Sequence, residues 1–167
     1  AVAMTIPEVP TINAKVGADG QRVIYNEDVN LGIAVALDEG LVVPVIRQAN
    51  QQSLRQISRS VSQLAQRAKS QTLSVDDVGE GTFTITNPGV FGSIFGMPII
   101  HQPQVAILCV GAIEKRPTVV DGSDRIEARP RCYLTLGFDH RLIDGAVADR
   151  FMSSLKSRLE SFDSVLL

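Results

Sequence analysis

Apolar residues recur along this chain at two spacings, and each run of one spacing marks an element. Across residues 52–70, Leu54, Ile57, Val61, Leu64, Ala65 and Ala68 fall at steps of three and four, which puts them on one stripe of an α-helix. Ser53 suits the cap before it, and Arg55, Arg59, Arg67 and Lys69 fall off the stripe as a solvated face. A second helical run starts at about Ala146, with Val147, Phe151, Leu155 and Leu159 inward and Arg150, Lys156 and Arg158 outward. Strand spacing governs most of the rest. Residues 82–87 alternate and are β-rich, and Pro88-Gly89 ends them. Residues 29–37 are apolar on both faces, as in a strand covered on both sides, and residues 41–46 form another apolar strand in which Pro44 implies an edge or a bulge. Residues 22–25 and 105–113 are further strands. Residues 118–120 and 125–127 make a hairpin around Gly122, and residues 131–137 alternate through Cys132, Leu134 and Leu136 up to Phe138.

Between these runs the punctuation is local. Pro7 and Pro10 keep the opening segment extended or turning, and Gly17-Ala18-Asp19-Gly20 is a turn. Ser74-Val75-Asp76-Asp77 suits a short helical turn that Gly79 and Gly81 break. Residues 91–98 form an apolar loop. Strands and helices interleave without regular alternation, and no period of repeat length recurs, so the pattern points to one two-layer mixed-sheet α/β domain.

Composition narrows the function more than the fold. With 167 residues and 44% apolar side chains the chain can bury a core, and a net charge of −2 gives no footprint for nucleic acid or an anionic membrane. No apolar run is long enough to cross a bilayer. The two cysteines, Cys109 and Cys132, sit in strand-like runs without metal-ligand spacing, so no metal is expected. They read as buried thiols, with a disulfide left open by the unknown pairing of the strands. The Gly-rich stretch near Gly92 lacks the Gly-Lys-Ser/Thr of a phosphate loop, and no Gly-x-Ser-x-Gly elbow is present.

Chemistry concentrates in Phe138-Asp139-His140-Arg141-Leu142-Ile143-Asp144-Gly145. His140 falls where a strand ends and a turn leads to a helix, a junction that holds a side chain firmly yet leaves it open to a ligand. An imidazole there can take and return a proton near neutral pH. A lone histidine in a turn is more often a solvated residue without a role. The charged and titratable groups packed around this one weigh against that reading. Thr86, taken alone, is a structural strand threonine.

The stretch Asp139-His140-Arg141-x-x-Asp144-Gly145 resembles the active-site motif of the dihydrolipoamide acyltransferases (E2), the core subunits of 2-oxo acid dehydrogenase complexes. Four further stretches agree with it: Pro10-Thr11-Ile12-Asn13-Ala14, Leu31-Gly32-Ile33-Ala34-Val35, Gly40-Leu41-Val42-Val43-Pro44-Val45-Ile46 and the run from Thr82 to Gly89. The resemblance implies a chloramphenicol acetyltransferase-like fold: an α/β, two-layer mixed sheet with helices on one side. It implies that residues 1–167 are the acyltransferase catalytic domain without its N-terminal helix and strand. It implies acyl transfer between a dihydrolipoyl arm, carried on a separate domain, and coenzyme A as substrate. His140 would be the base and the Thr86 hydroxyl would face the reacting carbonyl. Asp144 would be a structural acid paired with an Arg that lies ahead of this chain's first residue. The implied partners are two further copies in a homotrimer, a cube of twenty-four subunits or a dodecahedron of sixty, and E1 and E3 subunits bound through domains absent here. The residues Val165, Leu166 and Leu167 would join trimers into that cage. The implied setting is the bacterial cytoplasm or the mitochondrial matrix. Two readings from other classes stand beside this one: an E2-like scaffold without chemistry, which the presence of His140 opposes, and a chloramphenicol-type acetyltransferase, which Asp139 and the signature at residues 31–46 oppose.

Overall fold

This computed structural model describes residues 1–120 and 122–162. Residues 165–167, expected to act in assembly, lie outside the described residues. In chain order the elements are α1 (Val2–Thr5), two 3-10 turns (Ile6–Glu8 and Pro10–Asn13), β1 (Ala14–Val16), β2 (Val23–Tyr25), β3 (Leu31–Ile33), β4 (Val35–Leu37), β5 (Gly40–Val42), β6 (Val45–Ile46) and α2 (Leu54–Lys69). After these come β7 (Phe83–Thr86), β8 (Ala106–Val110), β9 (Glu114–Val119), β10 (Ile126–Arg131), β11 (Leu134–Phe138) and α3 (Gly145–Glu160).

Five strands form the central sheet in the order β11-β8-β7-β3-β6. The inner pairs β8/β7 and β7/β3 are parallel, and the outer pairs β11/β8 and β3/β6 are antiparallel. Register sorts the side chains onto two faces. Leu31, Phe83, Ile85, Leu108, Leu134, Leu136 and Phe138 join the apolar core, where α3 supplies Phe151 and Leu155, and Ile57, Val61 and Leu64 of α2 pack against its margin. Phe83 and Phe151 are fully buried with ring centroids 5.8 Å apart, which fastens α3 to the middle of the sheet. The opposite face carries Thr84, Thr86, Ile107, Cys109, Thr135 and Gly137. Among the described residues no α-helix packs there. The segment 88–104 covers it instead: Pro98 O would lie 2.9 Å from a side-chain carbon at Gly137, and Thr135 donates its hydroxyl to Gly96 O. The mixed sheet with helices on one side is thus present.

Several elements depart from the sequence pattern, each for a local reason. The apolar run 29–37 is two strands, not one. Ile33 N donates to Pro44 O, but Pro44 has no N–H to return a bond, so the ladder is interrupted there and resumes in the same antiparallel register at Val35 and Val42. Beyond that point β4 and β5 leave the sheet as a separate ribbon with half-buried or exposed side chains. Pro44 itself precedes β6, which is an edge strand as Pro44 implied. Arg131 belongs to β10, and Cys132-Tyr133 turns the chain into β11. Cys109 is buried, but Cys132 in that turn is exposed, and both thiols are free. Leu159 is 47% exposed, lining an open cleft with Tyr133 and Leu134, and Arg158, expected in solvent, instead pairs with Glu8.

The cap of α2 is a capping box. Ser53 Oγ accepts from Gln56 N, and Gln56 Oε1 accepts from Ser53 N. Arg67 is likewise not part of a free basic face, because it binds Asp77 in the short turn Val75–Asp77. Hydrogen bonds from the Ser74 hydroxyl and Ser74 N–H, with the Arg67 guanidinium beside them, hold the Asp77 carboxyl down at about 2. A depressed carboxylate contributes stability above its unfolded value, about 3.9, and loses it as pH falls through the folded value. Thermal midpoints of the parent and Asp77→Asn should therefore differ at neutral pH and converge between about pH 4 and about pH 2. A gap that does not change with pH would contradict this.

Candidate active site

Asp139 N donates to Val105 O, 2.8 Å, so the β11/β8 ladder runs one residue past the strand. The chain then turns tightly: Leu142 N and Ile143 N both donate to Asp139 O at 3.0 Å, and Ile143 is fully buried beyond the turn. His140 rides at the crest of this turn, exposed, with its ring 5.4 Å from that of Phe138. The Asp139 carboxylate accepts from Arg141 N at 3.0 Å and from the Arg141 guanidinium at 2.6 Å, and these bonds hold it below the usual carboxylate range.

Asp144 is the N-cap of α3. Its carboxylate accepts from Val147 N at 2.8 Å, the bond an N-cap side chain makes to a free first-turn N–H. Among the described residues it joins no ion pair. Thr86 ends β7 and is half-buried, and among the described residues its hydroxyl makes no hydrogen bond. The loop after it is pressed against the end of β8: a side-chain carbon at Gly89 would lie 2.3 Å from Gly111 C, so only glycine permits that approach.

The register keeps Thr86 and His140 apart. Thr86 lies opposite Cys109 on β8, while Phe138, which leads to His140, lies opposite Ala106. Three steps of about 3.3 Å along the strands and two strand spacings of about 4.8 Å separate them. A base and an oxyanion donor must reach one reacting centre, with reacting atoms about 3–3.5 Å apart. In a single copy of the chain these two cannot do so. Each end of the sheet carries one of the two candidate residues.

Sequence reasoning passed over a second feature. A cleft of about 630 Å³ opens where β3 and β7 begin, lined in part by His101, Gln104, Glu27, Asp28 and Lys15. Gln104 is buried and accepts from the Thr84 hydroxyl at 2.7 Å. The signal was a polar residue after Pro103 at the mouth of an otherwise apolar strand. Among the described residues no three His, Cys, Asp or Glu side chains cluster as a metal site would need.

The whole chain, residues 1–167, matches the catalytic domain of the 2-oxoacid dehydrogenase acyltransferases. This chain belongs to that family. It is 45% identical over its full length to the succinyltransferase component of the 2-oxoglutarate dehydrogenase complex of Bartonella vinsonii subsp. berkhoffii, covering 40% of that relative. Over 154 residues, 90% of this chain and 28% of the relative, it is 46% identical to the acetyltransferase component of the pyruvate dehydrogenase complex of Mycobacterium tuberculosis. The chain thus spans well under half the length of these relatives. Among solved structures, the dihydrolipoamide acetyltransferase of Azotobacter vinelandii, studied for the roles of a serine, a histidine and an asparagine in its mechanism, superposes with a TM-score of 0.91 at 36% identity. That match covers 99% of this chain and 67% of that one. The cubic core of a pyruvate dehydrogenase multienzyme complex gives 0.90 at 35%, covering 99% and 69%. A chloramphenicol acetyltransferase shares the fold, with a TM-score of 0.59 at 14% identity over 93% of this chain and 72% of that one.

As an N-cap, Asp144 needs an acceptor and not a charge. Asp144→Ala should cost about 1 kcal/mol of stability and Asp144→Asn a few tenths at most. Denaturant unfolding of both variants measures it, and equal losses would mean that the carboxylate charge, not the cap, matters.

Proposed function

We propose that this acyltransferase domain moves an acyl group between a dihydrolipoyl arm and coenzyme A, at sites completed by two copies of the chain. The observation that carries this is the placement of Thr86 and His140 at opposite ends of one sheet. It suits a channel between subunits, where His140 of one copy meets Thr86 of the next. The surface beside Thr86 supports the same reading. Phe91, Phe95, Met97, Ile99 and Ile113 are 64% to 92% exposed in the single chain, more large apolar surface in one region than a monomer ordinarily leaves in water.

Each step uses a group already described. The His140 imidazole takes the proton of the attacking thiol, because the thiolate is the nucleophile. The thiolate adds to the carbonyl carbon of the acyl thioester. The oxyanion that forms accepts a hydrogen bond from the Thr86 hydroxyl, which has no competing partner. Collapse expels the second thiolate, and the imidazolium returns the proton to it. Asp144 stands outside the proton transfer and sets the start of α3.

The Azotobacter structure supports the choice of residues. Its histidine and asparagine are spaced as His140 and Asp144 are, and its serine offers the same group as Thr86. If that asparagine corresponds to Asp144, an acceptor role fits better than an ionic one. A solved relative being a cubic core supports assembly as trimers within a larger cage, with E1 and E3 subunits bound elsewhere in the full protein. Acetyl and succinyl carriers match this chain almost equally well, so the acyl group is left to assay.

His140→Ala should lower acyl transfer by at least ~10²-fold, the low end for a positioned base. Thr86→Val should lower kcat by about 10²–10³ with little change in thermal midpoint, while Thr86→Ser stays active. Steady-state assays with acyl-CoA and dihydrolipoamide, with chloramphenicol as the competing acceptor, measure both effects. Near-normal turnover in His140→Ala, or preference for chloramphenicol, would overturn the proposal.

A further inference from the structure

The bonds that shape the His140 turn converge on one neighbouring residue. Asp139 N is tied to Val105 O, Asp139 O receives both Leu142 N and Ile143 N, and the Asp139 carboxylate receives Arg141 N and the Arg141 guanidinium. The first bond anchors the turn to the sheet, and the next two close its backbone. The carboxylate bonds form a second ring from residue 139 to residue 141, so His140 is bracketed on both sides. The carboxylate to Arg141 N bond is an Asx-turn, which an Asp or Asn side chain makes to the backbone two residues on. Arg141 is largely exposed while the Asp139 side chain is mostly covered, so the arginine closes over an acceptor already held by the sheet.

This arrangement does more than stabilise a loop. Within a single copy His140 is exposed and touches only the Phe138 ring among aromatic neighbours, so its own chain's packing does little to hold its imidazole in one place. Its orientation is inherited from the backbone at residue 140, and that backbone is set by the two rings that close on Asp139. Resting on the reading of His140 as the base, we propose that Asp139, clamped by Arg141, is a positioning residue that sets the imidazole's direction of approach to the thiol. Asp139 touches no reacting atom. Its effect passes entirely through His140.

The test uses full-length, assembled protein carrying Asp139→Ala, Asp139→Asn and Arg141→Gln, each with and without His140→Ala. Asn keeps the acceptor for Arg141 N–H and gives up the charge, whereas Ala gives up both. Asp139→Ala should lower kcat by ~10²-fold, the size of effect expected when a catalytic group is displaced by about 1 Å, with KM for coenzyme A and the thermal midpoint near those of the parent. Asp139→Asn should recover most of that loss, and Arg141→Gln should fall between the two. Added to His140→Ala, none should cost anything further. Parent-like kcat in Asp139→Ala overturns the proposal, as does an Asn variant no better than Ala. An extra loss in the His140→Ala background also overturns it, since Asp139 would then act by another route. Near-normal turnover in His140→Ala alone would instead remove the base itself, and the positioning claim with it.

Discussion

Strand β8 is paired parallel to β7 on one side and antiparallel to β11 on the other, and the functional geometry depends on that mixture. Strands β7 and β11 therefore run in opposite directions and end at opposite ends of the sheet. One carries Thr86, whose hydroxyl has no hydrogen-bond partner among the described residues, and the other leads into the turn that presents His140. Were all the pairs parallel, both groups would emerge at one end and a single copy could hold a complete site. The backbone ladder, fixed by hydrogen bonds along all five strands, rules that out.

The two faces of the sheet divide the work. On one, Phe83 and Phe151 meet at the centre of a dry core, and α3 is held there with its N-cap, Asp144, close behind the His140 turn. The rigidity that the turn needs comes from this packing, since Ile143 is fully buried four residues after Asp139. On the other face the side chains, apart from Ile107, are small or polar, and a loop lies directly on the strands through close contacts at Gly137 and Gly111. That loop carries large apolar residues outward. The chain thus buries its core on one face and exposes Phe91, Phe95 and Met97 from the other, the surface that the proposed assembly would cover.

Much of this could be read from the residues. The stripe from Leu54 to Ala68 located α2 with its cap, and the alternation around Phe83 located β7, because both patterns are local. The motif around His140 marked its turn for the same reason. What stayed hidden was set by tertiary partners. The run 29–37 looks continuous, yet its ladder is interrupted after Ile33 because the facing chain offers Pro44, which has no N–H to give. Leu159 falls on the apolar stripe of α3, but it faces an open cleft beside Tyr133 rather than the core. Arg67 and Arg158 look like solvated charges until Asp77 and Glu8 arrive from distant segments. The separation of Thr86 from His140 follows from strand order, which neither alternation nor motif encodes. Asp144 reads from the motif as half of an ion pair, and its position just before α3 gives it a second role as a cap.

Complementation between two inactive subunits tests most directly that the site spans two copies. Subunits carrying His140→Ala and subunits carrying Thr86→Val would be co-expressed and isolated as mixed assemblies. Interfaces that join an intact Thr86 from the first to an intact His140 from the second would then be complete. The account predicts that the mixed assemblies regain substantial acyl transfer while each parent variant stays inactive. Mixed assemblies no more active than the parents would contradict it, because the two residues would then have to act within one chain.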